Sequence, residues 1–116
     1  MVEIEQVIVS SSDGIEKITG VGELNLYIVE PFERALSNAV TSGNDIVVDY
    51  RQASFIDTAF VAALVPPALA MLERGRRLKV LVTEGEYPQY VLKTVCFGDL
   101  MDIVAEEGST MAKEVK

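Results

Sequence analysis

The chemistry open to this chain is narrowed first by what it lacks. It contains no histidine and a single cysteine, Cys96. Without histidine there is no Ser-His-Asp or Cys-His pair and no imidazole to hold a metal. One cysteine makes neither an internal disulfide nor a thiolate cluster. Cys96 lies between Val95 and Phe97 with no adjacent base to lower its pKa, so it reads as a structural thiol in a reducing compartment. Hydroxyls and carboxylates are left. The 18 Asp and Glu fall into no recognisable catalytic spacing, and nothing pairs a nucleophile with a base. The expectation is therefore a protein that is not an enzyme and uses no cofactor or metal.

Three positions still merit weighing. Gly20-x-Gly22 lies between a strand and a helix, as in a dinucleotide fingerprint, but the third glycine position is Asn25 and no opening strand-helix-strand unit precedes it. The glycines read as turning the chain. Asp49, after Ile46-Val47-Val48, brings to mind a phospho-acceptor receiver domain. That fold needs an acidic pair after its first strand, where this chain has Ser10-Ser11-Ser12, and a lysine after its last, where none closely follows Val104. Asp49 reads instead as ending its strand. Asp57-Thr58 is the third. Asp57 is a good helix N-cap and Thr58 the first helical residue, which is the bland reading. A hydroxyl there is also a place where a phosphoryl group would meet free backbone N–H groups and the positive helix end, beside the repelling Asp57 carboxylate.

The elements that carry these residues follow from patterning. Val2 to Val9 and Ile15 to Val21 read as strands joined at Ser10 to Gly14, with Asp13-Gly14 a strong hairpin signal. Asn25 caps a first helix with Pro31 near its start; Val29, Phe32, Leu36, Ala39 and Val40 form its apolar face and Ser42-Gly43-Asn44 ends it. Ile46 to Val48 reads as a buried strand and Arg51 to Ser54 as a connection. Ala59 to Leu72 is apolar apart from Pro66-Pro67, which predicts a helix broken near Leu64 to Pro67 and ending at Gly75. Leu78 to Val82 is the next strand. Pro88 opens a third helix with Tyr87, Tyr90, Val91, Thr94 and Val95 on one face, and Gly98 ends it. Ile103-Val104 forms a short last strand. The order β-β-α-β-α-β-α-(β) predicts one α/β domain over 1–105, a mixed sheet with an N-terminal antiparallel hairpin and packed helices. Residues 106–116 form a polar tail, frayed or weakly helical.

The formal net charge of −8 argues against nucleic acid as a partner. The one basic cluster, Arg74, Arg76 and Arg77, reads as a solvated helix end. The acidic N-terminus does not resemble a signal peptide, and the 14-residue apolar stretch from Ala59 to Leu72 is too short to span a bilayer. A cytoplasmic protein without direct membrane insertion is expected.

These segments, in order, resemble the STAS domain family, named for sulphate transporters and anti-sigma factor antagonists. The resemblance covers about Ile4 to Val104. It is carried by Gly22-Glu23-Leu24-Asn25, the amphipathic helix, Ile46-Val47-Val48-Asp49-Tyr50, Ser54-Phe55-Ile56-Asp57-Thr58, the apolar helix ending in Glu73-Arg74-Gly75, and the strand from Leu78 to Val82. It implies the SpoIIAA-like fold. In stand-alone members the residue after the Asp is phosphorylated by a partner kinase; that position is Thr58. The unphosphorylated form binds the anti-sigma kinase and releases the sigma factor, and a phosphatase resets the phosphorylated form. The implied partner-binding residues are Asn25, Asp57, Thr58, Ala59, Phe60 and Val61. Asn25 stands where the family usually has Asp, and Ala59-Phe60 replaces the usual Ser-Gly. The resemblance also implies an alternative, a STAS subunit bound to the ATPase of an ABC-type lipid transporter. An all-apolar second helix leaves two arrangements open. Phe60, Val61 and Leu64 form an exposed patch for a partner or a second copy in a homodimer, or helices one and three cover them. The resemblance favours the patch.

Overall fold

Asp13-Gly14 sets the first element of the architecture. Asp13 has φ 54° and Gly14 φ 78°, the left-handed pair of a two-residue hairpin turn whose twist matches its strands. It joins β1 (Val7–Ser12) to β2 (Ile15–Leu24), so the three serines expected in the turn belong to the strand. A computed structural model describes residues 6–95 and 97–107. Cys96, residues 1–5, which include the start of the expected first strand, and residues 108–116 of the expected tail lie outside the described residues.

The remaining order is α1 (Val29–Ser42), β3 (Asp45–Ile56), α2 (Thr58–Ala62), α3 (Val65–Glu73), β4 (Leu78–Thr83), α4 (Tyr87–Val95) and β5 (Met101–Glu106). The sheet runs β1-β2-β3-β4-β5, antiparallel between β1 and β2 and parallel thereafter. Successive right-handed crossovers in one direction stack the helices on one face. In-register Ile18, Val48 and Val80 are fully buried beneath them, while Lys17, Val47, Lys79 and Asp102 on the other face are half-buried or exposed. Phe32, Leu36 and Ala39 bury the predicted face of α1, and Gly43 at φ 80° closes that helix. No described helix is long and apolar enough to cross a membrane.

Several expectations need correction. The β3 strand does not stop at Asp49; it continues through Arg51–Ser54 to Ile56. Asp49 sits mid-strand, 1% exposed, and its charge is met by Arg51 two residues on, where strand alternation brings both side chains to one face. Gly20 and Gly22 lie inside β2. Gly20 packs under Leu24 and Tyr50, and Gly22, at φ 78°, serves a register shift against β3. On α4 the buried stripe is Pro88 and Leu92, with Val91 half-buried; Tyr87, Tyr90, Thr94 and Val95 face outward. Two overlapping stripes satisfy the helical period, and packing selects the one without phenols. The arginine cluster is anchored. Arg74 donates to the Val40 carbonyl at 3.0 Å and Arg76 to that of Gly43 at 2.8 Å, satisfying carbonyls at the end of α1. Arg77 pairs with Asp102 at 2.7 Å. Glu106 belongs to β5 rather than to a tail.

The exposed patch does not form either. Phe60 and Leu64 are fully buried and Val61 is nearly so. The helix breaks as predicted, between α2 and α3, and the break explains the burial. Pro66 and Pro67 occupy the first turn of α3, where no N–H is required. The Leu64 N–H turns to Val61 at 3.2 Å, which leaves the Phe60 carbonyl unused by the helix. The Tyr50 hydroxyl donates to it at 3.1 Å. The Phe60 ring then packs on Phe32, with centroids 4.9 Å apart, and Phe32 on Tyr50 at 5.9 Å.

Candidate functional site

The site lies at the C-terminal edge of the parallel strands, and register assembles it. Leu24 pairs with Ile56, and the Asp57 N–H donates to the Leu24 carbonyl at 2.9 Å. The chain leaving β2 is thereby brought beside the chain leaving β3. Asn25, the first residue out of β2, accepts the Tyr27 N–H on Oδ1 at 3.0 Å and caps a 3₁₀ turn, Leu26–Ile28. This turn holds Leu26 and Tyr27 outward, the latter 92% exposed.

Across from it, Asp57 caps α2. Its Oδ1 accepts the Ala59 N–H at 2.8 Å, and its carbonyl accepts the Phe60 N–H at 2.8 Å. Replacing Asp57 by Ala is expected to cost about 1 kcal/mol of stability, the usual value of a lost N-cap, read by urea denaturation. Thr58 is exposed. Its Oγ1 stands 3.5 Å from Asp57 Oδ1, too long for a good O–H···O bond, so the hydroxyl is not committed to the fold.

This geometry alters the charge argument at Thr58. The α2 helix has only five residues, and Asp57 already takes the Ala59 and Phe60 N–H groups. Little of a helix N-terminus is left to receive a phosphate. What stays is repulsion: two unit charges 4 Å apart cost about 1 kcal/mol in water and about 4 at a protein surface. A phosphoryl group on Thr58 would therefore push against Asp57 and its cap.

Asn25, Asp57 and Thr58 are thus gathered on one edge. Ala59 is half-buried behind them, and Phe60 and Val61 lie in the core. Behind the edge lie groups whose roles the sequence did not disclose: the Tyr50 hydroxyl and the Asp49–Arg51 pair. Burial holds the Tyr50 hydroxyl well above the usual phenol range. Burial would raise the Asp49 carboxyl, but the Arg51 side chain, the Arg51 backbone N–H and Lys17 outweigh it and hold the carboxyl below the ordinary range. Arg51 reaches on to Glu106 at 2.6 Å, tying β3 to β5 across β4. The alternation Asp49-Tyr50-Arg51 was the available signal, since it puts an ion pair on one strand face and a phenol on the other. Elsewhere, a groove of about 350 Å³ between α1 and α3, lined by Leu36, Val40, Ala63 and Pro67, offers Glu33 and Ser37 as its polar groups and no chemical constellation. The described residues hold no group of three or more His, Cys, Asp or Glu that could bind a metal.

No protein-family model and no curated protein sequence matches the chain. Solved structures do match, over nearly its whole length. An anti-sigma factor antagonist from Mycobacterium paratuberculosis superposes with a TM-score of 0.72 at 14% identity, covering 95% of this chain and 93% of its own. Unphosphorylated SpoIIAA, an anti-sigma factor antagonist, gives 0.68 at 19% identity, covering 94% and 96%. The phosphorylated form of SpoIIAA, a Bacillus cell fate determinant, gives 0.66 at 17% identity, covering 95% and 99%. The chain has the STAS fold of these antagonists.

Proposed function

We propose that this chain is an anti-sigma factor antagonist, a binding module whose Asn25, Asp57 and Thr58 edge docks on an anti-sigma serine/threonine kinase while Thr58 carries a free hydroxyl. The reading is carried by one observation. An uncommitted, exposed threonine hydroxyl stands at the strand edge, beside Asn25, in a fold that matches SpoIIAA in both its unphosphorylated and phosphorylated forms. Tyr27 and Leu26 extend the contact surface with exposed apolar area next to Asn25.

The switch is electrostatic. The kinase transfers the γ-phosphoryl group of ATP to Thr58 Oγ1, releasing ADP and the hydroxyl proton. The edge gains nearly two negative charges against Asp57, loses its fit to the partner, and releases it. A phosphatase hydrolyses the ester and restores the hydroxyl. The buried Phe60, Tyr50 and Phe32 cluster keeps the fold behind the edge unchanged between the two forms. The chain supplies the acceptor and the surface, and the partner supplies the chemistry. Such a role belongs to the cytoplasm, where the kinase and its sigma factor act.

The test is to incubate the purified protein with an anti-sigma-type kinase from the same genome and ATP, map phosphate by mass spectrometry, and measure binding of three forms. Phosphate is expected on Thr58 and is absent from Thr58→Ala, which still binds. Thr58→Glu is expected to bind at least about tenfold more weakly, the fold-change of a single unfavourable charge contact of about 1.4 kcal/mol. Phosphate elsewhere, with Thr58→Glu binding as wild type, overturns the reading. Capture of an ABC ATPase and no kinase would favour the transporter alternative.

A further inference from the structure

Most of the aromatic side chains described in this protein are spent on its surface. Phe32, Tyr50 and Phe60 are buried, while Tyr27, Phe55, Tyr87 and Tyr90 are exposed. Three of the exposed four touch one another. Phe55 stacks on Tyr87, with centroids 5.4 Å apart and planes at 15°, and Tyr87 meets Tyr90 at 6.5 Å. They remain 37%, 43% and 67% exposed. The fold builds this platform deliberately in one place. The β3 strand outruns β4, which pairs only with Val47–Asp49, and the start of α4 lies along the end of β3 on the side that β4 leaves open. Thr83 fixes that approach by donating to the Arg51 carbonyl at 3.2 Å.

Acidic residues neighbour the rings in register and in sequence. Glu23 pairs in register with Phe55, so both side chains stand on one face of the sheet. Glu84 and Glu86, both exposed, lie in the turn that leads into Tyr87. The only cation on α4, Lys93, comes a turn after Tyr90, so the acidic residues belong to the Phe55 and Tyr87 end. Ring faces are electron-rich, and with one glutamate paired beside Phe55 and two in the turn before Tyr87 the surface attracts cations and repels anions.

We infer that the Phe55–Tyr87–Tyr90 platform is a docking face for a basic segment of a protein partner, one presenting arginine or lysine among apolar side chains. Charge complementarity selects this occupant. A second copy meeting the same face would set like carboxylates against one another, and an anionic lipid surface would be repelled by them. The rings are already stacked, so a guanidinium laid on them orders little that is free. The inference rests on rings and charges and does not require Thr58 to be modified.

Synthetic peptides test it without knowledge of the kinase. A peptide alternating leucine with arginine, and its glutamate and serine counterparts, are titrated into the isotope-labelled protein while the ring signals of Phe55, Tyr87 and Tyr90 are followed by NMR. Saturable shifts are expected at the three rings with the arginine peptide alone, weakening as salt is raised. Glu23→Gln with Glu84→Gln and Glu86→Gln, changes that leave the rings in place, are expected to weaken binding about fivefold; Tyr87→Ser with Tyr90→Ser removes it. Equal response to the serine peptide, shifts confined to other residues, or ring signals that change with protein concentration alone would each overturn the inference, the last in favour of a second copy.

Discussion

Replacing Asp49 by Ala is expected to destabilise the protein by about 2 kcal/mol at neutral pH, within the range for hydrogen bonds to a charged group. The carboxylate is almost wholly buried and accepts the Arg51 N–H at 2.9 Å, Nε at 2.9 Å and Nη2 at 2.8 Å, with Lys17 Nζ at 3.4 Å. The cost stays below that of breaking a fully buried ion pair because the two cations reach solvent, so neither is stranded when the carboxylate goes. Urea denaturation reads it directly. If Asp49 merely ended a strand in solvent, the same change would fall within about 0.5 kcal/mol. The pH dependence gives a second check. Because the folded carboxyl titrates below its ordinary value, its contribution is fully present above the unfolded pKa of about 3.9 and is lost as pH falls through the lower folded value. The gap between wild type and variant should stay constant from neutral pH down to the unfolded pKa and close below it. A gap that persists in strong acid would mean the side chain acts through packing alone.

Replacing Phe60 by Ala is expected to cost about 3–5 kcal/mol, the range for emptying a buried aromatic site. It removes the ring that packs on Phe32 and holds α2 to the core. For a domain near this size that lowers the melting temperature by more than about 10 °C. Hydrogen exchange should rise first in α2, which is five residues long and has little stability of its own. Partner binding in the proposed switch would weaken through disorder of the Thr58 edge, not through a lost contact. An exposed Phe60 would behave differently, with stability unchanged and only binding affected, so calorimetry alone separates the two.

The contrast at Phe60 shows how much of the molecule was legible beforehand. The hairpin at Asp13-Gly14, the Asp57 cap, the stop at Gly43 and the break before Pro66-Pro67 all stand where local chemistry puts them, whereas Asn25 caps the 3₁₀ turn Leu26–Ile28 and α1 itself starts after Ile28 without a side-chain cap. The element order and the mixed sheet followed, as did the place of Thr58 at a helix start. The length of β3 did not, because Arg51 and Gln52 look like loop residues unless a buried carboxylate is known to wait two positions earlier. The stripe on α4 was misread because tyrosines satisfy the apolar period and yet sit comfortably in water.

What this sequence determined by itself is therefore its local grammar: turns, caps, breaks and periodicity, all of which act over a few neighbouring residues through backbone hydrogen bonds and sterics. That was enough to predict the α/β fold and to single out Asp57 and Thr58. Only the tertiary structure decided which side chains that grammar buries. The register of β2 on β3 brings Asn25 to Asp57 and Glu23 to Phe55. The stacked crossovers close α1 over Phe60, and the overhang of β3 past β4 seats Tyr87 on Phe55. Burial and charge pairing depend on what packs against a residue across tens of positions in the chain, and no window of neighbours contains that partner.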